Sequence, residues 1–296
     1  MRFSLILATV GRVSELHRWT ISAIAQTCQD FELIIVDQNG DDRLSEIAAL
    51  ARDGGIELVH LKTERRGLSA ARNAGLKLAR GDLVAFPDDD CWYEPETLAS
   101  ALEALDHHPE WSGLVGAWAE LPEAADDAAP VGERLAWKDW RQFKGGDASS
   151  IRLFMRNTFV RNIGDFDEDL GLGTWYGAGE ETDLIMRALS LGHVIGRAPT
   201  VRVHHAYDSG QPPFGNAGWR ELLRRGRGTG ALYVKHRLSP FVALRGILAP
   251  LIRAMVAMHG IHRGTALSLG IAQGALAWSL RSVRALPQPD RGNRPM

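Results

Sequence analysis

The first 120 residues alternate short, nearly uninterrupted apolar runs with segments of helical periodicity, and few folds accommodate that order. Residues 3–8, 32–37, 56–60, 83–87 and 113–118 read as strands. Their continuous apolar character suits strands covered on both faces. Between them, residues 15–25, 44–52, 68–79 and 95–107 read as helices, with Pro95 in a first turn where its missing N–H costs nothing. Alternation at this spacing predicts an α/β fold, a mostly parallel sheet flanked by helices. Such sheets bind ligands at the carboxyl ends of their strands, which directs attention to the polar residues just after each one.

The rest of the chain is less regular. Residues 122–150 lack a clear period and read as a mobile connection. Residues 152–157 read as a strand, followed by a short helix into the glycine-rich stretch 171–179. In residues 181–191, Leu184, Ile185, Ala188 and Leu191 recur at helical spacing and Gly192 supplies a stop. Residues 193–205 read as a strand interrupted at Pro199.

At 296 residues the chain holds about two domains, at roughly 150 residues each. Its 45% hydrophobic and 24% charged content builds a core and excludes a disordered chain. Cys28 and Cys91 form no CxxC, which argues against a disulfide framework or a cysteine zinc site. The N-terminal apolar run is short for a signal peptide and precedes no small-residue cleavage site, so a cytosolic catalytic domain is expected. The net charge of −2 conceals an asymmetry: residues 1–215 carry 21 Lys+Arg against 34 Asp+Glu, and residues 216–296 carry 13 against 2. The expected division is therefore an acidic domain, 1–215, and a basic helical extension, 216–296.

Three features fall at strand ends: Asp37, the run Asp88-Asp89-Asp90, and His204-His205. Consecutive aspartates repel one another, and a hard divalent cation offsets that repulsion; a nearby imidazole favours Mn²⁺ over Mg²⁺. The same run also suits a solvated acidic turn ahead of the helix at Pro95. Gly67 to Asn73 starts a helix with small residues and offers Arg72 and Asn73 as donors to a nucleotide, or simply packs closely on the sheet. In GEETDLIMR, Glu180, Glu181 and Asp183 suit helix capping, with Arg187 placed for an i,i+4 ion pair. The glycines before Glu180 and Glu181 also permit close approach of a substrate.

Taken together these segments resemble a family 2 glycosyltransferase with the nucleotide-sugar-binding GT-A fold, a Rossmann-like sheet. The resemblance runs in order through SLILATVGR, FELIIVD, RGLSAARNAGLKLARGDLVAFPDDD, GDFDEDLGLGTWYGAGEETDLIMRALSLG and APTVRVHH, covering residues 2–208. It implies that Thr9, Arg12 and Asp37 line the nucleotide pocket with Arg72 and Asn73 near by. It implies that Asp88 and Asp90 are the outer positions of a DxD motif, with Asp89 also toward the nucleotide-sugar. Asp88, Asp90 and His205 (or His204) would meet the metal, and Glu181 would be the general base. The chain departs from the family pattern at Ala8, Val10 and Gly11 in the first loop, at Gln38, and at Glu181, where an aspartate is commoner. Trp175 and Tyr176 stack on a sugar ring or anchor a loop, and with Glu180 are the acceptor-side candidates. The implied reaction is inverting, metal-dependent transfer from a nucleotide-diphosphate sugar to a saccharide or lipid-linked acceptor in surface or exopolysaccharide synthesis.

In the basic extension the longest stretch without a charged residue or histidine is 17 residues, 264–280. That is at or below the ~17–25 needed to span a bilayer. Arginines 245, 253, 281 and 284 among apolar runs fit helices lying on an anionic membrane surface, which places the enzyme peripherally at the inner face of the cell membrane. A helical pair packed on the protein or on a second subunit is the alternative. No RNA-binding motif accompanies the charge, so nucleic acid is not expected as a partner. Three other functions compete with the transferase: a non-catalytic membrane-associated nucleotide-sugar-binding module; a nucleotidyltransferase, for which the loop after strand one lacks the glycine-rich, lysine-bearing pattern; and a phosphatase, which would want a hydroxyl soon after the aspartates, where Cys91 and Trp92 stand.

Overall fold

The computed structural model describes residues 1–119, 133–143, 149–205, 218–256 and 260–284. Most of the expected connection at 122–150, the boundary at 215/216 and the last twelve positions lie outside the described residues. The chain divides into two compact units, Met1–Thr174 with Glu180–Asn216, and Trp175–Gly179 with Ala217–Met296. Residues 175–179 thus group with the basic segment rather than with the acidic one.

The first unit begins β1 (Phe3–Thr9), α1 (Ser14–Ile24), β2 (Phe31–Asp37), α2 (Ser45–Asp53), β3 (Glu57–Lys62), α3 (Leu68–Leu78) and β4 (Leu83–Ala85). It continues through β5 (Cys91–Tyr93), α4 (Thr97–His107), β6 (Gly113–Trp118), α5 (Trp137–Trp140) and a 3-10 turn, Ser150–Arg152. β7 (Leu153–Arg156), α6 (Asn157–Ile163), α7 (Glu180–Ser190) and β8 (Ile195–His205) complete it. The sheet order is β3-β2-β1-β4-β7-β6-β8-β5. β1 to β4 are mutually parallel, β7 runs against both neighbours, and β5 runs against β8.

Burial on both faces explains the unbroken apolar runs. Phe3, Leu5 and Leu7 join a core with Leu16 and Trp19 of α1 and Leu98 of α4. Ile6 points the other way, so close to α3 that a Cβ on Gly75 would lie 2.4 Å from its Cγ2. The α/β, mostly parallel architecture is the one the alternation predicts.

Two local expectations change, and one strand is added. Pro95 precedes α4 rather than opening it; its carbonyl accepts the Thr27 N–H at 2.9 Å. Residues 195–205 form one strand, and Pro199 sits where the ladder jumps from Val115↔Arg197 to Ala117↔Arg202. A residue without an N–H is tolerated at such a bulge. The three-residue strand β5, immediately after the aspartates, is too short to show a period.

The second unit carries α8 (Trp219–Lys235), α9 (Pro240–Val256) and α10 (Ile261–Arg284). α8 and α10 cross backbone against backbone at Gly226, Gly230, Gly270 and Gly274: a Cβ on Gly230 would lie 2.0 Å from the Ile271 carbonyl oxygen, and one on Gly274 2.0 Å from that of Arg227. Among the described residues no helix is long and apolar enough to cross a membrane. Because the obstruction at Gly230 is backbone, Gly230→Val should destabilise this unit by about 1–3 kcal/mol, the range for overpacking. A lower denaturation midpoint with the first unit's transition unchanged is the expected result, and parent-like stability would contradict the close crossing.

Candidate active site

After β4 the chain returns alongside β1, with Asp88 bridged to Ala8. Asp89 and Asp90 follow this bridge in a turn, in which the Cys91 N–H donates to the Asp88 carbonyl at 3.4 Å. Asp89 is buried and accepts from Thr9 Oγ1 at 2.7 Å and Arg12 Nη1 at 2.6 Å. Asp90 meets the same Arg12 nitrogen at 2.5 Å and His205 Nε2 at 3.4 Å. Burial raises the Asp88 and Asp89 carboxyls above the usual range despite their arginines. At Asp90 burial also pushes upward, but His205 and Arg12 outweigh it and hold the carboxyl low.

The pairing of β5 with β8 sets this contact. Cys91 lies opposite His205 and Trp92 opposite His204. His205 therefore reaches Asp90, while His204 stacks on the Trp92 ring at 4.9 Å and meets Glu94 at 3.4 Å. Of the two histidines, His205 is the one beside the aspartates. The Trp118 ring stands edge-on to His205, 6.1 Å away.

Arg72 is buried within α3. Its Nη2 donates to Asp88 Oδ1 at 2.9 Å and Ser150 Oγ at 2.6 Å, and its Nη1 reaches Glu180 Oε1 at 3.4 Å. Asn73 exchanges hydrogen bonds with the Phe166 backbone, both at 2.9 Å, and donates to Glu168 at 3.1 Å. The resemblance puts both residues near a nucleotide; both are buried, and their hydrogen bonds join α3 to distant segments. The small residues at the start of α3 let residues 166–173 close on it, with Ser69 Oγ donating to the Leu170 carbonyl at 2.7 Å.

Glu180 and Glu181 open α7. Gly171 adopts φ +96°, and a Cβ there would lie 3.0 Å from both the Glu180 carboxyl and Ser69 Oγ; only glycine fits. Glu180 is buried against Arg72, whereas Glu181 is half-buried. Burial first, and the Glu180 charge second, push the Glu181 carboxyl well above its usual range. Asp183 takes the structural part: it is fully buried and pairs with Arg187 Nε at 2.9 Å.

Asp37 is buried, accepting from Asn39 at 2.7 and 2.8 Å and contacting His60 Nε2 at 2.9 Å. Gln38 Oε1 accepts the Gly67 N–H at 3.0 Å and Asn39 Oδ1 the Gly11 N–H at 2.7 Å, tying three loops together. An open cavity of about 640 Å³ beside this loop is lined by Gly11, Arg12, Ser14, His17 and Glu46 among others. Trp175 and Tyr176 belong to the second unit, where Tyr176 is buried edge-on to Trp278 at 5.1 Å and Arg227 lies 4.2 Å over the Trp175 ring. Ser150, Trp118, Asn39 and His60 escaped the sequence reading. Asn39 follows a strand end and was open to notice; Ser150 sits in a stretch without periodicity.

Asp90 and His205 provide one carboxylate and one imidazole nitrogen, donors that suit Mn²⁺ or Mg²⁺. Among the described residues no three His, Cys, Asp or Glu side chains gather tightly enough to hold an ion alone. The fit is to a cation completed by substrate oxygens, the usual mode for Mg²⁺ with phosphates.

Residues 4–118 match the family model described as Glycosyl transferase family 2. The chain is similar to the glucosyl-dolichyl phosphate glucuronosyltransferase of Haloferax volcanii, 28% identical over 182 residues. That alignment covers 58% of this chain and 58% of the relative, less than two thirds of its length. An uncharacterized glycosyltransferase of Bacillus subtilis is 27% identical over 252 residues, 80% of this chain and 88% of that one. Among solved structures, a mannosyltransferase from Pyrobaculum calidifontis in complex with GDP-Man and Mn²⁺ superposes with a TM-score of 0.66 at 16% identity, covering 95% of this chain and 87% of that one. At such identity the likeness carries the fold, which is the GT-A arrangement.

Replacing Arg72 tests its bridging role. Arg72→Met keeps the bulk but strands Asp88 and Glu180, and should cost about 3 kcal/mol, the low end for breaking a buried pair because Asp88 retains access to water. Chemical denaturation measures it, and a loss below about 1 kcal/mol would make the bridge incidental.

Proposed function

We propose that this chain, which belongs to glycosyl transferase family 2 through residues 4–118, transfers a sugar from a nucleotide-diphosphate donor to a hydroxyl of a saccharide or lipid-linked saccharide. The observation that carries the reading is the Arg72 bridge between Asp88 and Glu180. It ties the aspartate run to the start of α7, which supports a single site in which carboxylates that would hold the cation stand near a carboxylate base.

Glu181 Oε takes the proton of the acceptor hydroxyl as its oxygen attacks the anomeric carbon. The bond from that carbon to the diphosphate breaks, and its electron pair leaves on the diphosphate oxygen. A single base acting from the face opposite the leaving group gives inversion. The raised Glu181 carboxyl is a stronger base than an ordinary glutamate, which suits this task. Asp90 and His205 would hold a divalent cation, Mn²⁺ or Mg²⁺, whose contribution is Lewis-acid stabilisation of the charge developing on the diphosphate. Asp88 and Asp90 line that side, and Thr9, Arg12, Asp37 and Asp89 fix the loops that border the nucleotide.

The Haloferax volcanii relative, named for glucosyl-dolichyl phosphate, supports a lipid-linked acceptor. The basic second unit supports work at an anionic membrane surface, in surface or exopolysaccharide synthesis.

Glu181→Gln should lower turnover by roughly 10²–10⁴-fold with donor binding little changed. The parent's rate should fall on acidification at a higher pH than an ordinary glutamate (about 4.3) dictates. The folded-state carboxyl titrates above the unfolded one, so stability declines as pH rises between the two values. Glu181→Gln removes that penalty and should melt higher than the parent at neutral pH. An active Glu181→Gln with a dead Glu180→Gln would move the base to Glu180.

Turnover should also vanish on chelation with EDTA, return with Mn²⁺, and be lost in Asp90→Asn. Full activity in EDTA would remove the cation from the mechanism.

A further inference from the structure

Helix α9 carries two apolar faces. Val242, Gly246, Pro250 and Ala254 recur every four residues and form the inner one. Val242 and Ala254 are buried, a Cβ on Gly246 would lie 2.1 Å from the Tyr233 hydroxyl, and one on Gly264 of α10 would lie 2.6 Å from the Pro250 oxygen. On the opposite side stand Phe241, Leu244, Leu248, Ile252 and Met255, spaced by three, four, four and three residues. All five are between 41% and 73% exposed. They form a stripe about 21 Å long at ~1.5 Å per residue. A helix that packs on one face ordinarily turns polar residues to water on the other; one that is apolar all round has a second apolar environment. α9 contains no aspartate, glutamate or lysine; its charges are Arg245, beside the stripe, and Arg253, on the side of the inner face.

We propose that this stripe of α9 is the element that enters a membrane, lying flat in the interfacial region of an anionic bilayer. The location rests on the membrane-surface role proposed above and is independent of the transferase chemistry. Charge selects the occupant. Residues 216–296 hold 13 Lys+Arg against 2 Asp+Glu, so a second copy docked here would press two strongly cationic units together. An anionic lipid surface attracts the same unit while its acyl region takes the leucines and the phenylalanine. A nucleic acid offers phosphates to the arginines but nothing to Leu248, Ile252 and Met255. No helix among the described residues spans a bilayer, so attachment would be in the interface alone.

The test uses the full chain with phosphatidylcholine vesicles, with and without phosphatidylglycerol. The parent should float with the phosphatidylglycerol vesicles, bind the neutral ones far less, and detach as salt rises, because surface attraction is screened beyond ~8 Å at physiological ionic strength. The double substitution Leu248→Glu with Ile252→Glu should reduce partitioning by roughly tenfold or more, from lost apolar burial and added repulsion. Circular dichroism verifies that it remains helical. Hydrogen exchange on the unmodified parent gives an independent readout: amides of residues 241–256 should slow on adding phosphatidylglycerol vesicles. Absence of binding by the parent, unchanged α9 exchange, or equal binding to neutral vesicles would overturn the proposal. So would self-association in vesicle-free solution that the double substitution abolishes, which would give the stripe to a second copy. Turnover with a soluble acceptor should be the same in parent and double variant, so failure here leaves the catalytic reading intact.

Discussion

One buried guanidinium organises the first unit. Arg72 stands on α3 and spends its planar fork on three segments far apart in sequence: Asp88 after β4, Ser150 ahead of β7 and Glu180 at the start of α7. A lysine would present a single point charge and could not serve these directions at once. Burial of such a group is tolerated only because each partner is present, and it makes their positions mutually dependent. The neighbouring Asn73 adds a neutral clamp on Phe166. The small residues from Gly67 to Ala71 let the chain come near enough for both.

The three aspartates show how a run of like charges is managed. Three other elements answer them: α3 meets Asp88 through Arg72, the loop after β1 meets Asp89 and Asp90 through Arg12, and β8 meets Asp90 through His205. Arg12 touches both Asp89 and Asp90, so part of the charge a divalent cation would offset is already offset by the protein. The Glu180-Glu181 pair is handled unequally. Glu180 takes the arginine, and Glu181 beside it bears the desolvation that raises its carboxyl. Adjacent groups of identical chemistry thereby acquire different surroundings, one buried against an arginine and the other half-buried beside it.

In the second unit glycines replace side-chain interdigitation. With no Cβ at Gly230 or Gly274, α8 and α10 approach until their backbones touch. The large apolar residues of α9 are correspondingly divided, with one set turned inward and the other outward. That outer set has no place in an account built on folding alone.

The strand and helix alternation, the acidic front and basic back, and the aspartates at a strand end were all legible in the sequence. They depend on neighbours two to four residues away, and local periodicity carries that information directly. The glycine-rich run before Glu180 was legible too, as a place of close approach, although it did not reveal that Arg72 and Ser69 are what approach. The choice of His205 over His204 was decided by the register of β5 on β8, a pairing between residues more than a hundred positions apart in which a slip of one exchanges the two rings. The burial of Arg72 and Asn73, the unequal burial of Glu180 and Glu181, and the opposed faces of α9 were likewise decided by tertiary structure. A residue type states which interactions it can make, and only the packed chain determines which partner arrives, how much water remains, and which face is left uncovered.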